Sequence, residues 1–427
     1  MRRRGASVIL ENHPLRIRLN DEMHLRRMPA LSPTICMTQT VRMVDPGDRD
    51  AERAHVMTMP GVPSATVADR PRDANGNADG GIEMMWERHS EASTATVIAP
   101  SLPEAPFTTE AAEALKWLEA APGVVIRATK IAIVPDERSA EAILPSLAFH
   151  REHLVSCRIG PTRIWSDFQL APDGYGRLLV ASGDILPADL GRTIQRLQEL
   201  GNYRNLALLG LPLAQSEGIL LTALEQRLGT ITQRITGASQ GTEAALLDEL
   251  CEVSATAAAI DTRTSFRMSA TQAYSQIAHD RLDSLSMTQI AGFQSLGDFT
   301  DRRMLPAVRT CASFVQRLEA LSIRIERTTS LLRTRVDLAT QASNVELLRS
   351  MDANAARQLK LQSLVEGLSV IAVSYYAFSL FAEAFPLIER LSQIPEDRLR
   401  AALILPVVGL VAIYLRWRSR RVIGDIR

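Results

Sequence analysis

Histidines, carboxylates and arginines gather at three places in this sequence, and any chemistry would have to be built from them. The first is Glu11-Asn12-His13-Pro14-Leu15-Arg16, with Glu22 and His24 close behind. The second, Trp86-Glu87-Arg88-His89-Ser90-Glu91, reads as a strand in which alternation sends Glu87 and His89 to one face and Arg88 and Ser90 to the other. The third, Arg163-Ile164-Trp165-Ser166-Asp167-Phe168, alternates in the same way and groups Arg163, Trp165 and Asp167 on one face.

Three uses of these clusters compete. A metal site requires His13, His24 and His89 to converge with a carboxylate, but their spacing follows no ligand signature. A groove for an anionic ligand or partner would take Arg16, Arg88 and Arg163 as donors, because a guanidinium fork matches carboxylate and phosphate oxygens. The leading expectation is that these side chains form hydrogen bonds and ion pairs that hold their domain together. No GxSxG, P-loop, HExxH or GxGxxG pattern occurs in a suitable context. No catalytic residue, metal or cofactor is therefore assigned, and a membrane-bound hydrolase using His13, His24 or His89 is the weakest reading.

The elements that must position these residues predict an α+β protein. Residues 1–183 read as a mixed α/β domain with an antiparallel sheet. Its strands are expected at 34–43, 83–88, 92–99 and 124–134, rich in branched or aromatic residues. Three more, at 153–159, 163–170 and 174–181, are separated by Gly160-Pro161 and Pro172-Asp173-Gly174, turn chemistry that predicts an antiparallel meander. Short helices are expected at 46–56 and 109–120, the second N-capped by Thr108 or Thr109. Residues 59–81 turn to Pro, Gly, Asp and Asn, a composition that predicts a mobile loop. Asp73, Asn75, Asn77 and Asp79 alternate as in the start of a calcium loop, but the twelfth position is Met84 where a bidentate Glu is needed.

From residue 186 to 364 the pattern predicts a stalk of long helices. Leu221, Leu224, Leu228, Ile231 and Ile235 share a face, with a kink at Gly210-Leu211-Pro212. A second helix opens with Thr242 as N-cap and carries Leu246, Leu250, Val253, Ala257 and Ile260. The third carries Phe314, Leu318, Leu321, Ile325, Leu332, Val336 and Ala339 at spacings of three, four or seven. Short turns between long amphipathic helices predict antiparallel neighbours, and a stalk of this kind is expected to support a homo-oligomer.

No charge occurs from Gly367 to Ala382, and 365–388 is long enough to cross a bilayer. A second uncharged run, Ala401–Leu415, lies between Arg398 and Arg400 and the group Arg416, Trp417, Arg418, Arg420 and Arg421. These predict transmembrane helices at 365–388 and 399–417 and a basic tail at 418–427. Arg349, Arg357 and Lys360 precede the first span, so the positive-inside rule puts both ends of the hairpin, and the large domain, in the cytosol. Ser369, Tyr376 and Glu383 recur every seven residues and form a polar face within the first span.

Composition sets the outer bounds. At 427 residues and 46% hydrophobic the chain is not disordered, and 48 basic against 48 acidic residues leave no general attraction for nucleic acid. Cys36, Cys157, Cys251 and Cys311 form no CxxC pair and read as buried thiols in a reducing compartment. The apolar run after Met1-Arg2-Arg3-Arg4 is only Val8 to Leu10, too short for a secretory signal.

The Asn12-to-Arg16 run with Glu22 and His24, then Trp86-Glu87-Arg88-His89, Trp165-Ser166-Asp167-Phe168, Val365-Glu366-Gly367-Leu368-Ser369-Val370 and Ser374-Tyr375-Tyr376, resembles a bacterial family of unknown function described as predicted membrane-anchored proteins. The resemblance implies an anchor and no activity. The order of an α/β domain, long helices and two C-terminal spans is also similar to the CorA-type divalent-cation channels. Where those carry Gly-Met-Asn, this chain reads Glu383-Ala384-Phe385-Pro386. The expectation is thus a non-enzymatic binding or scaffold protein of the bacterial inner membrane, whose partners are lipid, copies of itself and an unidentified protein. The alternative is an ion channel or transporter.

Overall fold

The computed structural model describes residues 13–16, 19–20, 28–62, 72–102, 104–237, 242–383 and 396–424. The chain divides into two units, Met1–Thr236 with Asp248–Arg327, and Gly237–Leu247 with Thr328–Arg427. The first holds the sheet.

Ten described strands form one sheet: β1 (Ile35–Met43), β2 (Asp73–Ala78), β3 (Ile82–Arg88), β4 (Ala92–Leu102), β5 (Ala105–Thr109), β6 (Val124–Val134), β7 (Val155–Ile159), β8 (Thr162–Ser166), β9 (Gly176–Ala181) and β10 (Thr288–Gln289). Their order is β10-β7-β8-β9-β6-β1-β4-β3-β2, with β5 on β4. The sheet is mixed, which corrects the antiparallel expectation: β6 and β9 pair in parallel, from Thr129 opposite Gly176 to Val134 opposite Ala181. A parallel pair needs a crossover, and the chain between them supplies α3 (Glu137–Ile143) and the β7-β8 hairpin. Within the expected meander β7, β8 and β9 do pair antiparallel.

Both faces are covered, so successive residues bury on opposite sides. Met37, Ile131, Ile133, Ile164, Leu178 and Val180 meet Leu190, Ile194, Leu197 and Leu200 of α4 (Pro187–Leu208). Met84, Trp86, Val97 and Ala99 face the other way, with Trp117 and Leu118 of α2 (Ala112–Glu119) and Val56 of α1 (Arg49–Val56). Trp165, Leu179 and Ala181 pack on that side with Ala140 of α3. At about 1.5–3 kcal/mol per fully buried large side chain, this two-sided burial dominates the domain's stability.

Four other expectations change. Asp73–Ala78, expected in a mobile loop, pairs with β3 throughout, from Asp73 opposite Glu87 to Ala78 opposite Ile82. Residues 63–71 of that stretch lie outside the described residues. Neither Thr108 nor Thr109 caps α2: Ala111 stands at the N-cap without a side-chain bond, and Thr109 ends β5. Strand β8 stops at Ser166 rather than Leu170, because Phe168 adopts a positive φ of 55° that no strand can continue through. Cys36, Cys157 and Cys311 are buried as expected, but Cys251 is exposed.

Helix α5 (Gly210–Gly237) follows α4 after a break at Leu209, and α6 (Glu243–Ser284) and α7 (Leu296–Ala382) follow. Inside the first unit, ion pairs fix their directions. Glu217 joins Arg263 and Arg234 joins Glu249, so α5 and α6 run antiparallel, while Glu225 joins Arg317 of α7. At Gly210 a Cβ would stand 2.2 Å from Thr271 Oγ1 and 3.3 Å from Cys311 Sγ, so only glycine lets the three helices meet there. The second unit contains the rest of α7 and α8 (Glu396–Gly424).

A bidentate pair ties the β3-β4 turn to α6: Arg267 Nη1 and Nη2 donate to Glu91 Oε1 and Oε2 at 2.8 and 2.6 Å. Their side chains are only 18% and 10% exposed. Arg267→Met should therefore strand the Glu91 carboxylate and cost roughly 2–4 kcal/mol in a denaturant titration, whereas Glu91→Leu with Arg267→Met should recover most of the loss.

Candidate functional site

The three clusters do not meet among the described residues. His13 and Arg16 are exposed, and His13 Nδ1 accepts from the Leu15 amide at 3.2 Å. Glu22 and His24 lie outside the described residues. Glu87 and His89 do share a face: Nδ1 of His89 stands 3.6 Å from Glu87 Oε1, and its Nε2 is 2.9 Å from Thr94 Oγ1. The Arg88 amide donates to Arg72 O at 2.8 Å. No group of three His, Cys, Asp or Glu able to hold a metal occurs among the described residues.

Arg163 is a structural cation and not the donor of an open groove. It donates to Glu137 Oε2 at 2.8 Å, Glu141 Oε1 at 3.2 Å and Ser156 Oγ at 3.2 Å, and lies 4.6 Å over the buried Trp165 ring. Asp167 falls beyond the end of β8, so the shared face with Arg163 is not formed. Its carboxylate instead accepts from the His150 amide at 2.9 Å and the Gln169 amide at 3.1 Å. Burial pushes the Glu137 carboxyl up, but hydrogen bonds and charge from Arg163 and Arg158 outweigh that and hold it below its ordinary range. Ser369 and Tyr376 lie on α7, with Ser369 Oγ donating to Val365 O at 2.8 Å, and Glu383 follows directly after its last residue.

The polar convergence that sequence reasoning missed lies under α4. Moving along the strands, the face that begins with Met37, Ile131 and Ile133 becomes Gln39, Thr129 and Arg127. Gln39 donates to Thr96 Oγ1 at 2.9 Å, and its Oε1 accepts from Asn202 Nδ2 at 3.1 Å and Arg127 Nη1 at 3.4 Å. Arg127 Nη1 also donates to Asn202 Oδ1 at 2.7 Å. The guanidinium can lie across the helix only because residue 201 is glycine: a Cβ there would be 2.7 Å from Cζ. This layer separates two hollows. One, of about 80 Å³, is lined by Glu87, His89, Thr94 and Gln198, whose buried amide has no hydrogen-bond partner among the described residues. The other, of about 280 Å³, is lined by Arg127, Thr129, Phe168, Leu197, Leu200 and Arg204.

Burial, together with the charge of Arg204, pushes the Arg127 guanidinium down to about 9, and burial pushes Arg204 down to about 10. Both stay cationic at neutral pH. Neither has a carboxylate partner among the described residues; Arg204 stacks over Phe168 and Phe299 at 4.9 and 5.6 Å. The missed signal was Arg127 itself, a charged residue on the inward-facing register of a strand that otherwise reads Ile131 and Ile133.

The fold and this region define an α+β protein with a mixed sheet, a buried polar layer beneath α4 and a long helical region. The chain belongs to the DUF3422 family, described as a protein of unknown function, whose model matches residues 11–422. No curated protein matches it.

Gly218 of α5 has nothing within 4 Å of an added Cβ, so Gly218→Ala should raise stability by about 0.5–1 kcal/mol through helix propensity. Gly201→Ala should instead lower it by about 1 kcal/mol, because displacing Arg127 loses two hydrogen bonds that exceed the same propensity gain. Denaturant titration of the two variants measures the difference. The Glu137 contribution should be full above its unfolded value of about 4.5 and drain away as pH falls through the lower folded value. Melting between pH 7 and 3 should accordingly show a shallower acid limb for Glu137→Gln.

Proposed function

We propose that this is a membrane-anchored, non-enzymatic binding protein whose sheet domain is held at a bilayer by its C-terminal helices. The supporting observation is the surface of α7 beyond residue 360. Leu361, Leu364, Leu368, Ile371, Tyr375 and Leu380 are each more than 60% exposed, and no charge occurs from Gly367 to Ala382. At about 1.5–3 kcal/mol per large apolar side chain, leaving those six in water costs on the order of 10 kcal/mol, comparable to the whole stability of a domain.

Among the described residues, two helical stretches are long and apolar enough to cross a membrane, Pro187–Thr236 and Leu296–Ala382. The first is accounted for within its own unit, since Leu190, Ile194 and Leu221 are buried and Glu217 and Glu225 are ion-paired. In the second, only 6% of the most apolar window is buried by protein. The shorter Ala401–Leu415 would make a second crossing, extended by the arginines that flank it. With Arg349, Arg357 and Lys360 before the first span, the proposed location is the inner membrane with the sheet domain in the cytosol. Exposed Leu338, Leu347, Met351 and Leu359 earlier on α7 favour self-association of the same segment.

The intact protein should sediment with membranes, resist carbonate extraction and dissolve only in detergent. Full-length protein that stays in a detergent-free high-speed supernatant would remove the reading. Light scattering of the detergent-solubilised protein should give a mass of two or more chains.

A further inference from the structure

We infer that the cavity beneath α4 binds a small organic anion, with a carboxylate or phosphate group held between Arg127 and Arg204 and an apolar body lying against Leu197 and Leu200. The ligand is a free amphiphilic metabolite-sized molecule.

Three observations converge on this. The first is electrostatic: Arg127 and Arg204 line one hollow of about 280 Å³, near enough that the charge of Arg204 acts on Arg127, with no carboxylate paired to either among the described residues, whereas Arg177 in the same lining faces Asp173 at 3.6 Å. Arg163 and Arg267, by contrast, have carboxylates at hand, in Glu137 and Glu141 and in Glu91. Two like charges facing one cavity repel each other and leave their donors unmet, which an incoming oxyanion would reverse. Of Arg127, only Nη1 is engaged by Gln39 and Asn202, so the rest of its fork remains available.

The second is an unmet polar atom in the same wall. Thr129 is 7% exposed, and its Oγ1 has no hydrogen-bond partner among the described residues. It projects from the same face of β6 as Arg127, two residues on, and lines the cavity with it. A hydroxyl beside two cations is a third donor for one anionic group.

The third is how the cavity holds Arg204. Phe168, at a positive φ of 55°, stacks on Phe299 with ring centroids 4.3 Å apart, and the guanidinium rests over the pair. A bulky residue is strained in that conformation, so the turn after β8 keeps the ring under Arg204 at a cost in backbone energy. Much of the remaining wall is apolar, with Leu170, Leu197 and Leu200, beside the polar Ser166, Arg177 and Asn205. Inorganic phosphate would leave that wall unused, and a neutral hydrocarbon would leave the cations unmet.

The test is calorimetric titration of the full-length protein in detergent with octanoate, octyl phosphate, octanol and inorganic phosphate, each against a protein-free micelle blank. Octanoate or octyl phosphate should bind roughly 10- to 100-fold tighter than octanol, the span expected of charge-assisted hydrogen bonds. Arg204→Met should bring the anionic amphiphile to the octanol level without lowering the melting temperature of the unliganded protein, since relief of the repulsion with Arg127 offsets the lost cation–π contact and the Met side chain still covers the Phe168 and Phe299 rings. Thr129→Val, close to isosteric, should weaken the anion several-fold and leave octanol unchanged. Equal binding of octanoate, octyl phosphate and octanol would overturn the inference, as would inorganic phosphate binding as tightly as octyl phosphate. So would an Arg204→Met protein that melts lower yet keeps its preference for the anion, because Arg204 would then be a structural cation like Arg163. None of these outcomes depends on whether the C-terminal helices enter a bilayer.

Discussion

A guanidinium taken out of water has to be met by oxygen atoms or ring faces, and much of the first unit is arranged around that requirement. Nearly all of the chain's basic charge is arginine, with lysine only at 116, 130 and 360. Arg163 is met by Glu137, Glu141 and the Trp165 ring, which together bind the β7-β8 hairpin to α3. Arg267 is met by Glu91 and joins the sheet to α6. Arg263 and Arg317, which keep more contact with water, are met by Glu217 and Glu225 where α5 passes α6 and α7. Each pair joins separate elements, and for the buried ones losing either partner would leave an uncompensated charge, which favours this packing over others.

Arg127 and Arg204 depart from that pattern. Their partners are neutral amides and aromatic rings, which satisfy some donors and leave the net charge in place. The face of the sheet under α4 thus changes character along its strands. It is a dry core where Met37, Ile131 and Ile133 meet Leu190 and Ile194, then a hydrogen-bonded layer at Gln39 and Asn202, then an open hollow. The dry part holds α4 in place. A glycine at 201 then allows the helix to pass directly over a cation.

The second unit presents the opposite condition. Its helices carry large apolar side chains that the described residues leave exposed, and the proposed solvent for them is lipid. The same chemistry cannot serve both units: the sheet domain hides its apolar side chains on two faces, whereas α7 beyond residue 360 exposes them.

Much of this was written in the sequence and some of it could not be. Alternation and turn residues placed β1, β3, β4, β6 and the β7-β8-β9 meander, because a half-turn period is a local property of the backbone. The shared face of Glu87 and His89 follows from the same period. Helical stripes such as Leu221, Leu224, Leu228 and Ile231 were equally plain, and all four are buried. Tertiary structure alone decided that β6 and β9 run parallel, since strand direction depends on which non-local partner is chosen. It alone ordered Asp73–Ala78, whose composition cannot stabilise a strand without the ladder that β3 offers. And it alone separated the arginines, sending Arg163 to two carboxylates and leaving Arg127 beside Arg204: a side chain's charge is encoded locally, but its compensation depends on what the fold brings near.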